Sequence, residues 1–411
     1  MAYTFTKSME LFKRATKVIP QGIYGHFSPV MTIPGYSPYF ITKAKGSHFW
    51  DVDGNEYIDY ACAYGPMFLG YAHDRVDEAF AKQAKNGTAT TPPTTLLIEL
   101  AEKMVEVNDC ADWAMFAKNG ADTTSWAMVL ARGYKRRNKI VLANGGYHGT
   151  QPWSGNNHIG ITPSDRNDIL MVPWGDLAAF QRVVDEYKGQ IAGAMFTPYH
   201  HPAFLEQKLP EPGFWQAMRR ICDENDIVLI IDDVRTGWRL DIKGSGHYFG
   251  FRPDLACYCK AIANGYPISA LVGTEKMRMV ASKAFQTGSY WNNSPEMAAA
   301  IACIDEMQKI DAAKICHERG AQLRKGLEEL AKVYSLQFKV EGPDPLPFIR
   351  FANETNFKRS QLFCKECSLR GVYFFWYHNM FLSAAHTEED IKKTLDVADQ
   401  AFKVVKEQFG G

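Results

Sequence analysis

The chain has 411 residues, with 46 Lys+Arg balanced by 46 Asp+Glu and a formal net charge of zero. At a soft prior of ~150 residues per domain this is two or three units with ample core, and neutrality leaves no electrostatic footprint for a nucleic-acid partner. No apolar run approaches the ~18–20 residues of a membrane helix, so no membrane partner is expected. Nine cysteines are scattered. Cys364-Lys-Glu-Cys367 has no second CxxC to complete a zinc site, and Cys257-Tyr-Cys259 alternates along a strand, so buried free thiols and no metal site are expected. With no signal-peptide pattern in Met1-Ala-Tyr-Thr-Phe-Thr-Lys7, these features predict a cytoplasmic protein.

In chain order, residues 7–17 carry helical spacing (Met9, Leu11, Phe12, Ala15) up to the Pro20-Gln-Gly22 break. Residues 20–38 form a Gly-, Pro- and aromatic-rich loop. His48 to Asp59 reads as a strand pair turning at Asp53-Gly54. A helix starts near Asp74, and Thr94 and Thr95 can cap another that runs to Val107. From Trp113 the pattern becomes short apolar runs (113–117, 139–143, 168–172, 191–196, 227–231, 255–259, 268–272) with helices between most of them, notably 121–134, 176–187 and 213–224. That alternation predicts an α/β domain with a mostly parallel sheet. Lys135-Arg-Arg137 reads as a solvated helix end. Long helices follow from Pro295 to about Ile310 and from near Ala312 to about Tyr334. The tail reads strand, strand, helix (358–370), strand, helix (388–408), a smaller α+β unit. The predicted division is 1–60 packing with the small domain, 61–310 as the large domain and 311–411 as the small one.

Two strands end in chemistry. The run Ile227–Ile231 leads into Asp232, and Leu255–Cys259 leads into Lys260. Ligands of open α/β sheets bind at strand ends, so the pair can face one pocket. A lysine that holds an aldehyde and a carboxylate that keeps a pyridinium nitrogen protonated are what pyridoxal phosphate chemistry needs. Taken singly, the same residues also read as a surface lysine and a turn or cap pair. Phe116-Ala-Lys-Asn-Gly-Ala-Asp122 joins a strand to a helix, where small residues and the helix N-terminus can hold a phosphate or simply form the turn. Asn144-Gly-Gly-Tyr-His-Gly149 follows another strand and offers a ring for stacking on a planar ligand, or an ordinary Gly-rich turn. No Walker pattern is present, and Gly244-Ser-Gly-His-Tyr-Phe-Gly250 does not satisfy a dinucleotide fingerprint.

Together with Leu11–Pro20, Asp51–Tyr60, Asp232–Arg239, Ser294–Ala300 and Ser383–Ile391, these segments resemble the class III aminotransferases of pyridoxal-phosphate fold type I. Within that class the chain is similar to the relatives of glutamate-1-semialdehyde aminomutase, over nearly its whole length and in the same order. The resemblance implies a large domain with a mostly parallel central sheet and a smaller α+β domain from the N- and C-terminal segments. It implies that Lys260 is the Schiff-base lysine and proton carrier and that Asp232 pairs with the pyridinium nitrogen. Tyr147 lies against the ring with His148 beside it, and Asn119, Gly120 and Ala121 cradle the phosphate. A hydroxyl from Ser289 of the partner subunit (or Thr287 of the partner subunit) completes the site, so a homodimer with interfacial active sites is implied.

Departures bear on substrate. The family's phosphate loop commonly carries Ser and Thr where this chain has Asn119 and Ala121. The aminomutase's carboxylate-binding arginine is replaced by Met31 after Ser28-Pro-Val30, and a methionine makes no charge-assisted pair. The segment after Gly149 is shorter than the aminomutase's gating loop, which favours transfer between two molecules. The expected activity is transfer of an amino group from a donor to a carbonyl acceptor in two half-reactions. An intramolecular aminomutase and an amino-acid racemase or epimerase are the rivals on this fold, and a non-enzymatic cofactor-binding module is the rival outside it. Tyr24, His26, Tyr64, Trp153, Trp291, Trp376 and His378 are the aromatic substrate candidates, with Arg235 as the candidate carboxylate partner.

Overall fold

The computed structural model describes residues 3–27, 33, 35–154, 159–352 and 354–410. The Met31 substitution, with Ser28–Val30 before it, therefore lies outside the described residues, as does part of the segment after Gly149. The chain divides into two compact units, residues 1–73 with 203–205 and 314–411, and residues 74–202 with 206–313.

The first unit opens with α1 (Thr6–Ala15) and the strands β1 (Ile41–Lys45), β2 (His48–Asp51) and β3 (Glu56–Asp59). The β2–β3 hairpin turns at Gly54, whose φ of 92° only glycine adopts cheaply. Asp51 locks that turn, accepting from the backbone N–H groups of Asp53 at 3.0 Å and Asn55 at 2.8 Å.

The second unit holds α2 (Asp74–Ala84), α3 (Leu96–Val107), β4 (Trp113–Ala117), α4 (Gly120–Lys135), β5 (Lys139–Ala143), β6 (Ile169–Val172), α5 (Leu177–Glu186) and β7 (Ile191–Phe196). It continues through α6 (Phe214–Glu224), β8 (Val228–Asp232), α7 (Ser245–Phe249), β9 (Leu255–Tyr258), β10 (Ser269–Gly273), α8 (Glu275–Lys283) and α9 (Ser294–Ile310). The sequence-predicted strands and helices sit within a residue or two of these bounds. Thr95 stands before α3 but its side chain makes no capping bond. The basic run at the end of α4 is not a merely solvated end, because Lys135 and Arg137 both pair with Asp226.

Among the described residues these strands form a seven-stranded sheet in the order β4-β10-β9-β8-β7-β5-β6. β10 runs antiparallel to both neighbours and the other adjacent pairs are parallel. Successive strand residues face opposite sides, which explains the unbroken apolar runs. Ile140 and Leu142 join Trp126 and Leu130 of α4 in one core, while Val141 and Ala143 join Phe180 of α5 and Trp215 and Met218 of α6 in another. Both faces are covered, so every position of β7 and β8 is buried. Each large apolar side chain so buried contributes about 1.5–3 kcal/mol. Because β4, β5, β8 and β9 share one direction, their C-terminal ends, at Ala117, Ala143, Asp232 and Tyr258, emerge at one edge of the sheet.

The first unit resumes with most of α10 (Ala312–Val333), then β11 (Phe338–Glu341), β12 (Phe348–Phe351), α11 (Lys358–Ser368), β13 (Val372–Tyr373) and α12 (Glu388–Phe409). β13 adds to β3 in parallel, closing a four-stranded sheet in the order β1-β2-β3-β13. Thr387 and Asp390 form a capping box at the start of α12, and Asp390 also accepts from Ser47 at 2.9 Å. All nine cysteines are free, Cys364 and Cys367 buried within α11. Among the described residues no helix is long and apolar enough to cross a membrane.

Candidate active site

Asp232 is the last residue of β8 and pairs in register with Cys257 of β9, three residues before Lys260. The parallel pairing delivers a carboxylate and an amine to the same sheet edge. Lys260 adopts φ 45° and starts a tight turn through Ala263. A residue with a Cβ pays ~1–2 kcal/mol for that left-handed geometry, a strain typical of functional positions. Burial, aided by the positive charges of Arg235 and Arg239, pushes the Lys260 amine down to about 7.

Asp232 is 4% exposed and its Oδ2 lies 2.7 Å from Nδ1 of His148, which is 3% exposed. A carboxylate oxygen accepts, so Nδ1 carries the proton and donates. The other carboxylate oxygen accepts the backbone N–H of Val234 at 3.2 Å. Asp232 is thus held on two sides by groups of the sheet edge.

Asn119 is the N-cap of α4 and Asp122 reaches back to accept the N–H groups of Asn119 at 2.8 Å and Lys118 at 3.2 Å. The first-turn N–H groups of a helix have no intrahelical acceptor, and the macrodipole favours an anion there. Close approach explains the small residues. A Cβ on Gly120 would stand 2.8 Å from Val234 Cγ1, and one on Gly149 would stand 2.5 Å from the Ala121 Cβ. Gly149 also has φ 122°, outside the range of other residues. Thr124, one turn into α4, donates from Oγ1 to the His148 carbonyl at 2.6 Å. The Tyr147–Gly149 turn is therefore docked on the first turn of α4, with Tyr147 exposed.

Arg235 follows Asp232 by three residues and donates from Nη1 to the His201 carbonyl at 3.2 Å. Burial depresses it, while Tyr199, Asp232 and Tyr147 stabilise its charge. Trp153 and Trp291 are partly buried against the α4 side of the core, and Trp291 packs 5.4 Å from Trp126. Ser289 lies in the exposed stretch that includes Thr287, Tyr290 and Phe285.

The remaining candidates belong to the first unit. Tyr64, His26 and His378 come together: the Tyr64 ring lies 4.9 Å from that of His26 and 5.4 Å from that of His378. The Tyr64 hydroxyl donates to the His26 carbonyl at 2.8 Å and lies 2.5 Å from the Tyr377 hydroxyl. Cys62, Ala63 and Tyr64 all have positive φ (44°, 53° and 64°), and Asp59 supports this strained turn by accepting from Ala61 and Cys62 at 2.7 and 3.0 Å. Trp376 is buried nearby, 5.6 Å from Phe204. Tyr24 is 71% exposed.

Sequence reasoning missed Thr124, Tyr377, Arg239 and Lys118. A hydroxyl one helical turn after a Gly-rich start could have flagged Thr124. No local signal marks Arg239, which is fully buried and donates to the Arg235 carbonyl at 3.0 Å.

A family model described as aminotransferase class-III matches residues 32–156 and 175–401. The chain belongs to the class-III aminotransferases. This aminotransferase is 41% identical over 404 residues to the aminopentol aminotransferase of Sphingopyxis macrogoltabida, covering 98% of this chain and 96% of the relative. It is 32% identical to the 3-aminobutyryl-CoA aminotransferase of Cloacimonas acidaminovorans, covering 98% of each. It is also 32% identical to a glutamate-1-semialdehyde 2,1-aminomutase of Lachnoclostridium phytofermentans, covering 98% of this chain and all of the relative. Among solved structures it superposes on the PLP-bound FumI protein of Sphingopyxis sp. MTA144 with a TM-score of 0.96 at 40% identity, covering 99% and 98% of the two chains. The architecture is accordingly that of fold type I, as the sequence reading expected.

Proposed function

We propose that this class-III aminotransferase holds pyridoxal phosphate at the sheet edge and moves an amino group from an amine donor to a carbonyl acceptor in two half-reactions. The observation that carries the reading is the convergence of Lys260, Asp232 and the α4 N-terminus on one edge. The residues fit the group. An anion suits the first turn of α4, where the Gly120 and Gly149 positions leave no room for a Cβ. A buried carboxylate, held by His148, suits a protonated ring nitrogen. An amine lowered to about 7 suits a lysine that must react as the free base.

When bound, pyridoxal phosphate supplies an aldehyde for amines and an electron-accepting ring. Lys260, neutral above about pH 7, is placed to take the proton from the amine-bearing carbon of the substrate and would deliver it across the nitrogen to the carbon that entered as the cofactor's aldehyde. Its burial removes competing water, and Arg235 and Arg239 disfavour its protonated form. Asp232 keeps a proton on the ring nitrogen, and His148 fixes the carboxylate's orientation. Tyr147 would cover one ring face, and Asn119, Gly120 and Ala121 would hold the phosphate. Tyr64, His26 and His378, with Tyr24, Trp153 and Trp291, are the proposed substrate candidates. Arg235, spent in part on His201 and close to Asp232, serves the electrostatics of Lys260 better than it serves a substrate carboxylate.

The enzyme acts as a homodimer, with Ser289 of the partner subunit adding a hydroxyl to the phosphate. Exposed apolar residues in that stretch support the assignment: Phe285 is 89% and Tyr290 66% exposed in the isolated chain. Transfer between molecules is favoured over intramolecular exchange by Met31 in the place of the aminomutase arginine. The 41% identical relative is named as an aminotransferase, and its aminopentol substrate is the first donor to test. The test is Lys260→Ala supplied with pyridoxal phosphate, a donor amine and a keto acid. Wild type converts the cofactor to its amine form and releases a carbonyl product, and the variant does neither. Full turnover by the variant would sink the mechanism, and isomerised product without net transfer would favour the aminomutase.

A further inference from the structure

We propose that Lys118 is a binding residue for the cofactor phosphate, supplying from a buried side chain the positive charge that Asn119 and Ala121 do not. The inference rests on the reading of the α4 N-terminus as the phosphate site. Lys118 stands between the end of β4 and the N-cap of α4, so it is adjacent in the chain to the proposed cradle. Its side chain is only 13% exposed, and Nζ lies 3.2 Å from Oε1 of Glu296, itself 10% exposed, in the first turn of α9. That ion pair is the one acceptor contact of Lys118 Nζ among the described residues, and Glu296 Oε2 accepts no hydrogen bond there. Glu296 Oε1 is shared with Asn293 Nδ2 at 3.4 Å.

An ammonium carries three donors, and burying them without acceptors is costly. Desolvation accordingly pushes the Lys118 amine down, against the pull of Glu296. A phosphate arriving at the first turn of α4 brings acceptor oxygens and charge to the neighbourhood where these donors are unspent. Ser or Thr in the loop would offer neutral hydroxyls; here the grip is ionic. Glu296 is the ammonium's ion-pair partner. Because it competes with the phosphate for the same cation, its removal does not weaken phosphate binding.

The experiment measures dissociation constants of pyridoxal phosphate and of pyridoxal, which lacks the phosphate, by equilibrium dialysis of full-length protein. Lys118→Met raises the constant for pyridoxal phosphate about tenfold or more and leaves that for pyridoxal within about twofold, while Lys118→Arg stays close to wild type. Glu296→Gln binds pyridoxal phosphate at least as tightly as wild type. Equal retention by Lys118→Met overturns the proposal, as does parallel loss of both ligands or a loss in Glu296→Gln that matches Lys118→Met. Those outcomes leave Lys118 a scaffold residue. Failure of wild type to bind pyridoxal phosphate at all would instead overturn the site reading beneath it.

Discussion

Lys260→Met in the cofactor-free protein should be stabilising, and the gain should shrink as pH rises. The amine's ordinary value is 10.5, and burial with Arg235 and Arg239 brings it to about 7. Below about pH 7 both folded and unfolded chains carry the proton, and the folded state bears the whole cost of a buried cation. That cost is about 5 kcal/mol, at 1.36 kcal/mol for each tenfold change in proton affinity. Between the folded and unfolded values only the unfolded chain binds the proton, so the cost falls as pH rises. The gap is about 3 kcal/mol near pH 8 and about 1.5 kcal/mol near pH 9.5 by the same linkage. Methionine has a similar length and no charge, so it removes the penalty with little change in packing. Urea unfolding of cofactor-free wild type and variant, followed by tryptophan fluorescence at these pH values, reads the difference. A gap that stays constant with pH, or widens toward alkaline pH, would refute the argument that Lys260 is held neutral by its surroundings.

Two further substitutions separate charge from shape at the cofactor edge. Asp232→Asn keeps volume but removes the charge that supports a ring proton, so turnover should drop about a hundredfold or more while the cofactor absorbance of the dialysed protein persists. Gly149→Ala must place a Cβ 2.5 Å from the Ala121 Cβ at φ 122°, which should cost about 2–4 kcal/mol and release cofactor on dialysis. Gly160→Ala carries the same kind of backbone strain (φ 76°) but has open space around it, so it is the control for strain without a clash and should retain cofactor.

The course of the chain was largely legible. Strands such as Ile191–Phe196 and Val228–Asp232 are unbroken apolar runs because helices cover both sheet faces, and that pattern survives without knowledge of neighbours. The Gly-rich turns at Asn119-Gly120 and Gly146–Gly149 were visible for the same local reason: a turn and a close approach both demand small residues. Lys260 and Asp232 stood out as polar residues ending apolar runs. Where the reading of the basic run at the end of α4 failed, the cause was a distant partner, Asp226. The unfilled capping role of Thr95 has no structural explanation.

The sequence by itself determined the order and type of most elements, the family and the two proposed reactive groups, since each depends on residues adjacent along the chain or on motifs in fixed order. Tertiary structure alone decided what those groups experience. Only parallel pairing of β8 with β9 brings Asp232 and Lys260 to one edge, and only packing sets Arg239 near the lysine and Lys118 against Glu296. Electrostatic energy in a desolvated interior varies with a few ångströms of separation, and such distances between residues far apart in the chain are not written in any local pattern.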